Sequence, residues 1–244
     1  MSSLRAIPNL FTLGNLLAGA TALALLQADA SPVAVLACTG TALLCDLLDG
    51  RIARALKIDN PFGTQLDSLA DVVSFGLVPS LAIWQWKLSA LGPRAAPAAF
   101  ALAAAAAWRL ARFNVQAGGP PKKVRGAARS TGLPVTFPAA LLLAGAVVWP
   151  DVSPRALLAI CPALGFLMVG TLPYRTFKDR SPRFMVGLAA VVLGVAVAFA
   201  PSVAGAVPMA IALGALAYTV SAPVAAVAGL TRSASRGRRR LTSP

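Results

Sequence analysis

Histidine and glutamate are both absent from this chain of 244 residues, and only 12% of its residues are charged. Without histidine, the chain cannot form a Ser-His-Asp triad, a Cys-His pair or a histidine-ligated zinc site. Soluble globular domains carry about 25% charged residues, so an ordinary soluble domain is excluded as well. The three cysteines, Cys38, Cys45 and Cys161, stand singly in apolar runs, and we interpret them as buried spacers.

Apolar residues make up 57% of the chain, and its mean hydropathy is +0.74. A lipid bilayer covers such a surface, and each helix that crosses it needs about 20 apolar residues. Eight segments meet that need or come close to it, with turn residues such as Gly92-Pro93 between them. They are residues 10–27, 33–48, 62–84, 95–113, 133–149, 155–171, 185–199 and 207–230. We therefore predict an all-α, polytopic membrane bundle of about eight transmembrane helices.

Basic residues test this count, because loops on the cytoplasmic side of a membrane are enriched in lysine and arginine. If the N-terminus is cytoplasmic, the eight spans place 19 of the 22 basic residues on the cytoplasmic side of the membrane. Only Lys87, Arg94 and Arg155 then fall on the opposite side. Both termini are therefore predicted to be cytoplasmic. We expect an integral inner-membrane protein with one transmembrane domain over residues 1–230 and a basic cytoplasmic tail over residues 231–244. The tail suits acidic lipid headgroups, and no nucleic-acid partner is expected.

All eight acids are aspartates, and five of them fall between residues 46 and 71. Asp46 and Asp49 are three residues apart and Asp67 and Asp71 four apart, so each pair shares one helical face. A short loop joins the two antiparallel helices, which brings both pairs to a similar depth near the cytoplasmic boundary. A carboxylate at the centre of a membrane helix costs about 2.5–3.5 kcal/mol. Four clustered carboxylates are tolerable with divalent cations such as Mg²⁺, Mn²⁺ or Ca²⁺, and two ions could share them.

Small and polar residues around these acids suit a phosphate ester. Gly50 and Gly63 have no Cβ and permit a ligand to approach the backbone closely. Arg54 lies about one turn beyond Gly50 and can contact a phosphate or a base edge with two N–H groups. Ala53 is small and shares a face with the acids of its helix. Asn60 is a candidate N-cap for the following helix.

The spacing D-x2-D-G-x2-A-R-x8-G-x3-D-x3-D is met at every defined position between residues 46 and 71. This pattern resembles the signature of the CDP-alcohol phosphotransferases, which displace CMP from a CDP-linked lipid or alcohol with the hydroxyl of an acceptor. The flanking segments 7–16, 65–76 and 111–114 resemble the membrane-type phosphatidylserine synthases within that family. The resemblance covers about residues 5–180.

The resemblance implies roles for individual residues. The implied metal ligands are Asp46, Asp49, Asp67 and Asp71. They would hold two divalent cations, Mg²⁺ or Mn²⁺, against the diphosphate of CDP-diacylglycerol, and Asp71 would also be the general base. The residues implied in binding the CDP-lipid are Gly50, Ala53, Arg54 and Gly63, with Asn9, Thr12 and Asn60 as weaker candidates. Serine is the implied acceptor, membrane lipids are further partners, and small-residue helix faces favour a homodimer.

Recognition of a zwitterionic acceptor should use a cation for its carboxylate. Arg109 and Arg112, at the cytoplasmic end of the fourth predicted span, are candidates for this role, with Asn114 close by. Snorkelling of these arginines to the membrane interface is the alternative interpretation. Tyr174 and the basic residues that follow it form a second candidate set.

Other functions fit part of the pattern. The same chemistry could use glycerol 3-phosphate or inositol phosphate as acceptor, or an archaeal-type CDP-lipid as donor. Residues 135–138 read Val-Thr-Phe-Pro where the synthase pattern has Ser-Pro, which keeps those acceptors open. Outside the enzyme class, a divalent-cation transporter would also place aspartates in a helix bundle. Transport favours polar residues toward the midplane, whereas these acids lie at one end, so we prefer the enzyme.

Overall fold

The structure is a computed structural model that describes residues 2–56, 60–117, 129–175 and 203–241. The helices are α1 (Ser2–Gln27), α2 (Pro32–Ala55), α3 (Pro61–Asp71), α4 (Val78–Trp86), α5 (Ala96–Ala117), α6 (Thr136–Val148), α7 (Pro154–Val169) and α8 (Val203–Leu241). The strands β1 (Arg129–Thr131) and β2 (Pro173–Arg175) pair antiparallel. The predicted helical bundle is confirmed, with this short ribbon as an element that the sequence pattern did not reveal.

Four helical stretches in the described part of the chain are long and apolar enough to cross a membrane. They are Ile7–Gln27, Pro32–Ala55, Pro61–Trp86 and Gly205–Val224. α6 and α7 are apolar but shorter, with 13 and 16 residues. The predicted span 185–199 lies outside the described residues, so the count of eight stays a prediction. The last helix runs on to Leu241, across the predicted boundary between the transmembrane domain and the tail.

Local sequence explains where α2 and α3 begin. Ser31 is the N-cap of α2, where its hydroxyl accepts a 3.3 Å hydrogen bond from the backbone N–H of Ala34, and a proline follows it. Asn60 occupies the same position before α3, as predicted, but its side chain makes no capping bond. Its amide instead donates to Oδ1 of Asn9 over 3.3 Å and ties the start of α3 to α1.

The third membrane-crossing stretch is interrupted by a π-helical segment, Val72–Leu77, which follows Asp71 directly. A π turn holds more residues than an α turn and often occurs at functional sites. A Cβ on Gly76 would lie 3.0 Å from the Cβ of Ala106, so glycine lets α5 pack closely against this segment. The predicted span over residues 62–84 is matched by the apolar helical stretch Pro61–Trp86, and the π-helical segment within it was not predicted.

Helix packing places α1, α2 and α3 side by side at the end of the bundle that carries the acids. α1 packs along α2, while α5 packs on α7 and α6 on α8. Phe75, Leu102 and Met168 lie in the main buried cluster. Large apolar side chains such as Leu17 and Phe166 are exposed, as expected for surfaces that a bilayer covers.

The ribbon packs against the end of α7 because Gly132 follows β1. Gly132 has a φ of 84°, and a Cβ there would overlap the carbonyl oxygens of Met168 and Gly170. Its N–H donates a 3.0 Å hydrogen bond to the carbonyl of Leu172. Only glycine combines this backbone conformation with so close an approach.

Candidate active site

Three of the four predicted carboxylates meet between α2 and α3. One carboxylate oxygen from each of Asp46, Asp49 and Asp67 lies within 4.8 Å of the other two. Asp49 is buried, and the other two are half-buried. The spacing of three residues puts the first two on one face of α2, and the neighbouring helix supplies the third. We refer to Asp46, Asp49 and Asp67 as the acidic triad.

Asp71 stands apart from the acidic triad. It lies one turn further along α3 and is only 7% exposed. It remains within electrostatic range of all three triad carboxylates. The site therefore contains a cluster of three acids and, one turn further along α3, a fourth acid that is as buried as Asp49.

The acidic triad fits a divalent cation. Oδ1 of Asp67 is buried and has no hydrogen-bond partner among the residues that the structure describes. A buried carboxylate oxygen without a partner costs stability, as does repulsion among three neighbouring carboxylates. Carboxylate oxygens are the ligands that Mg²⁺ and Mn²⁺ prefer, so a bound cation would offset both costs.

Helix α1 supplies one hydrogen-bond donor to each buried carboxylate. The hydroxyl of Thr12 donates to Oδ2 of Asp49 over 2.7 Å. The amide of Asn15 donates to Oδ1 of Asp71 over 3.0 Å. Thr12 and Asn15 are three residues apart and both buried. Sequence reasoning missed Asn15, although a polar side chain in an apolar helix, in register with Thr12, was a usable signal.

A cavity of about 170 Å³ opens beside the acidic triad. Its lining residues are Pro8, Asn9, Thr12, Asp49, Gly50, Ala53, Asn60, Gly63, Thr64 and Asp67. Six of the seven residues predicted to bind the CDP-lipid belong to this set, and Pro8 and Thr64 are additions that the sequence did not indicate.

Arg54 is the predicted residue that does not line the cavity. It is exposed, and a Cβ on Gly50 would lie 3.3 Å from its Nη1, so the guanidinium folds back over Gly50. On the opposite wall, a Cβ on Gly63 would lie 2.8 Å from Oδ1 of Asn9. At Gly50 and Gly63 the cavity wall is therefore formed by backbone atoms, and no side chain of either residue fills the space between them.

The arginines predicted to bind the acceptor differ in their surroundings. Arg109 is buried, at 9% exposure, and interacts electrostatically with Asp71. The guanidinium of Arg112 donates hydrogen bonds to the backbone carbonyls of Thr131, Val169 and Gly170. Arg112 thus fastens α5 to the ribbon and to the end of α7, and of the two arginines Arg109 is the one whose charge interacts with that of Asp71.

The other acceptor candidates are engaged in packing. The amide of Asn114 donates to Oε1 of Gln65 over 3.0 Å and to the hydroxyl of Ser68 over 2.9 Å, which fixes α5 against α3. Tyr174 is fully buried, and its hydroxyl donates to the backbone carbonyl of Thr219. Their roles in acceptor binding stay predictions.

Comparison with known proteins assigns the family. A sequence model described as CDP-alcohol phosphatidyltransferase matches residues 5–164, which is nearly two thirds of the chain. The chain belongs to the CDP-alcohol phosphatidyltransferase family. The acidic triad, Asp71 and the cavity all lie inside the region matched to this family, whereas β2 and α8 lie outside it.

Several curated members of the CDP-alcohol phosphatidyltransferase family resemble the chain, and each is named CDP-diacylglycerol–serine O-phosphatidyltransferase. The protein from Helicobacter pylori is 31% identical over 181 residues, covering 70% of this chain and 72% of the relative. The Bacillus subtilis protein is 29% identical over 177 residues, covering 72% and 93%. The Mycobacterium tuberculosis protein is 35% identical over 112 residues, but this match spans 46% of the chain and only 38% of that relative.

Proposed function

We propose that the protein transfers the phosphatidyl group of CDP-diacylglycerol to the hydroxyl of L-serine, which yields phosphatidylserine and CMP. The observation that carries this proposal is the acidic triad beside a cavity lined by residues of the family signature. The names of the relatives support serine as the acceptor. Family membership supports transfer from a CDP-linked donor.

The acidic triad would hold the divalent cations, with Asp71 as a ligand on its inner side. Either Mg²⁺ or Mn²⁺ suits this set of carboxylates, and two ions would be shared among the four acids. Bound there, the cations would neutralise the diphosphate of the donor and the charge that develops on departing CMP. The buried, unpartnered Oδ1 of Asp67 supports this assignment.

Asp71 is the proposed general base. Its carboxylate takes the proton from the serine hydroxyl, and the serine oxygen forms a bond to the phosphorus that carries the diacylglycerol. The bond from this phosphorus to the bridging oxygen breaks, and that oxygen leaves with CMP. Burial keeps water away from Asp71, which favours transfer to serine over hydrolysis.

Binding of the nucleotide is assigned to the cavity walls. Gly50 and Gly63 leave room for the diphosphate to approach the backbone, and Ala53 adds a small side chain. The amides of Asn9 and Asn60, which bond to each other, offer polar groups at the rim. Arg54, folded over Gly50 at the exposed edge, would contact the cytidine diphosphate from outside.

Arg109 is the proposed partner of the serine carboxylate. Its guanidinium is buried and near Asp71, so a bound serine could place its hydroxyl at the base and its carboxylate at the cation. Arg112 and Asn114 would support this pocket by holding α5 in place.

The membrane arrangement follows from the distribution of charge. We propose eight transmembrane helices with both termini in the cytoplasm of the cell and the active site at the cytoplasmic face of the inner membrane. The donor's acyl chains would then stay in the bilayer while its headgroup enters the cavity. Residues 231–244 would form a basic cytoplasmic extension, and small-residue helix faces suit a homodimer.

The test is a CMP-release assay on the full-length protein purified in detergent. The protein is incubated with CDP-diacylglycerol, Mn²⁺ or Mg²⁺, and serine, glycerol 3-phosphate or inositol phosphate in parallel, and the lipid product is identified by mass spectrometry. We expect CMP and phosphatidylserine in equal amounts with serine alone. Release with glycerol 3-phosphate and none with serine would reassign the acceptor. No release with any acceptor, together with Mn²⁺ uptake into vesicles that contain the protein, would favour a transporter.

A further inference from the structure

Asn15 makes one hydrogen bond to Asp71 and a second to Ser74, three residues further along the chain. Its side-chain amide donates to Oδ1 of Asp71 over 3.0 Å. Its backbone carbonyl accepts a 3.1 Å hydrogen bond from the hydroxyl of Ser74, in the π-helical segment that follows. Asn15 itself is fully buried. One residue of α1 is therefore linked both to the proposed base and to the backbone turn that supports it.

The Asn15 side chain carries a cost in stability that its hydrogen bond to Asp71 has to offset. A carboxylate that accepts a hydrogen bond must face the N–H end of the amide, so Oδ1 of Asn15 points away from Asp71. That oxygen is buried and has no hydrogen-bond partner in the described part of the chain. A buried acceptor without a partner lowers stability, whereas an apolar side chain of similar size would not carry this cost.

The close approach of α1 keeps the amide in place. A Cβ on Gly19, one turn beyond Asn15, would lie 3.1 Å from the Cα of Ser74. Glycine at this position therefore allows α1 to rest directly on the π-helical segment. The contact limits movement of Asn15 away from Asp71.

We propose that Asn15 is a positioning residue for Asp71, which it holds by one carboxylate oxygen so that the other receives the proton of the acceptor hydroxyl. This inference rests on the proposed function of Asp71 as the base. The hydrogen bond from Asn15 makes Oδ1 of Asp71 the less basic oxygen, so the incoming proton goes to Oδ2. Thr12 has the corresponding relationship to Asp49 of the acidic triad. α1 thus contacts Asp71 and the acidic triad with separate side chains.

This separation can be tested with two nearly isosteric substitutions in the full-length protein, Asn15→Leu and Thr12→Val. The measurements are kcat and KM for serine and CDP-diacylglycerol at saturating Mn²⁺, and direct Mn²⁺ binding by electron paramagnetic resonance. Asn15→Leu should lower kcat by about ten- to a hundredfold. Mn²⁺ affinity should change much less than kcat, because the substitution leaves all four carboxylates in place, and the KM for CDP-diacylglycerol should stay within about twofold of wild type. Thr12→Val should instead weaken Mn²⁺ binding.

Thr39→Val is the matched control, because among the described residues the buried hydroxyl of Thr39 bonds only the carbonyl of Val35 in its own helix. It should leave kcat and Mn²⁺ binding unchanged. If Asn15→Leu does not yield a monodisperse protein, Asn15→Ala removes the same amide without adding volume and should show the same loss of kcat.

Two results would overturn the inference. One is a wild-type kcat in the Asn15 variants, and the other is a loss of Mn²⁺ binding that parallels the loss of activity, which would make Asn15 part of the ion site. An active wild type with unaffected Asn15 variants removes only this inference. A wild type that releases no CMP removes the proposed function as well.

Discussion

The hydroxyl of Tyr174 donates a 3.0 Å hydrogen bond to the backbone carbonyl of Thr219, which joins β2 to α8. The Tyr174 ring stacks on Tyr218 with their centroids 5.6 Å apart, and Tyr218 stacks on Phe137 at 3.8 Å. An aromatic stack therefore connects the last helix, which lies outside the family match, to β2 and to α6.

Tyr174→Phe should lower the free energy of unfolding by about 0.5–1.5 kcal/mol, the usual contribution of one buried hydrogen bond. The substitution keeps the ring and its stacking on Tyr218, so only the link to Thr219 is lost. Unfolding of the detergent-solubilised protein, followed by circular dichroism, measures the change. An unaltered transition midpoint would mean that the ribbon and α8 are held together by packing alone.

Gly132→Ala should destabilise the protein by about 1–3 kcal/mol, because the new Cβ combines a positive φ with an overlap onto two carbonyl oxygens. Gly40→Ala is the control, since a Cβ on Gly40 in α2 meets no atom within 4 Å. That substitution should be neutral or slightly stabilising through helix propensity. Thermal unfolding of both variants against wild type provides the comparison, and equal melting temperatures would contradict the packing described for the ribbon.

Asp67→Asn should weaken Mn²⁺ binding at least about tenfold, since it removes one of three clustered charges from the proposed ion site. Wild-type protein should be stabilised by about 2.7 kcal/mol when Mn²⁺ is at a hundred times its dissociation constant. The variant should show a smaller rise in melting temperature at the same Mn²⁺ concentration. A full rise in the variant would show that the ion does not use this carboxylate. Asp151→Asn, an exposed loop position, is the control.

Arg109→Lys and Arg112→Lys should have different effects, although the two residues are three positions apart on one helix. Arg109→Lys should raise the KM for serine about tenfold, because a lysine ammonium cannot form the bidentate hydrogen bonds that a guanidinium makes to a carboxylate. Arg112→Lys should chiefly lower the melting temperature, since it loses contacts to three backbone carbonyls. A selective rise in the serine KM in Arg112→Lys, with Arg109→Lys unchanged, would reverse the assignment.

The acidic site could be predicted because its determinants are local. Spacings of three and four residues put each aspartate pair on one helical face, and a short connection makes the two helices adjacent. The structure confirms that Asp46, Asp49 and Asp67 meet. Each carboxylate placed in a membrane helix costs free energy, so a cluster of four aspartates without a function was improbable. That Asp71 does not join the group of three was not predictable, since it depends on how α3 is rotated.

Long-range contacts account for what the sequence could not reveal. Arg112 reaches carbonyls that are up to 58 positions away, and Asn15 reaches an acid 56 positions away. No pattern within either helix identifies such partners. The two arginines therefore looked equivalent as acceptor ligands, and the ribbon that Arg112 fastens was not predicted at all.

The π-helical segment also changes how the third span should be compared with other sequences. A π turn takes up about one more residue than an α turn, which rotates everything beyond it by about 100° relative to a regular helix. A helical wheel drawn through Pro61–Trp86 would consequently misplace one half with respect to the other. The face that carries the acids, before residue 72, therefore has to be assigned separately from the helix that begins at Val78. An alignment that treats the π-helical segment as regular α-helix would assign buried positions beyond it to the exposed face.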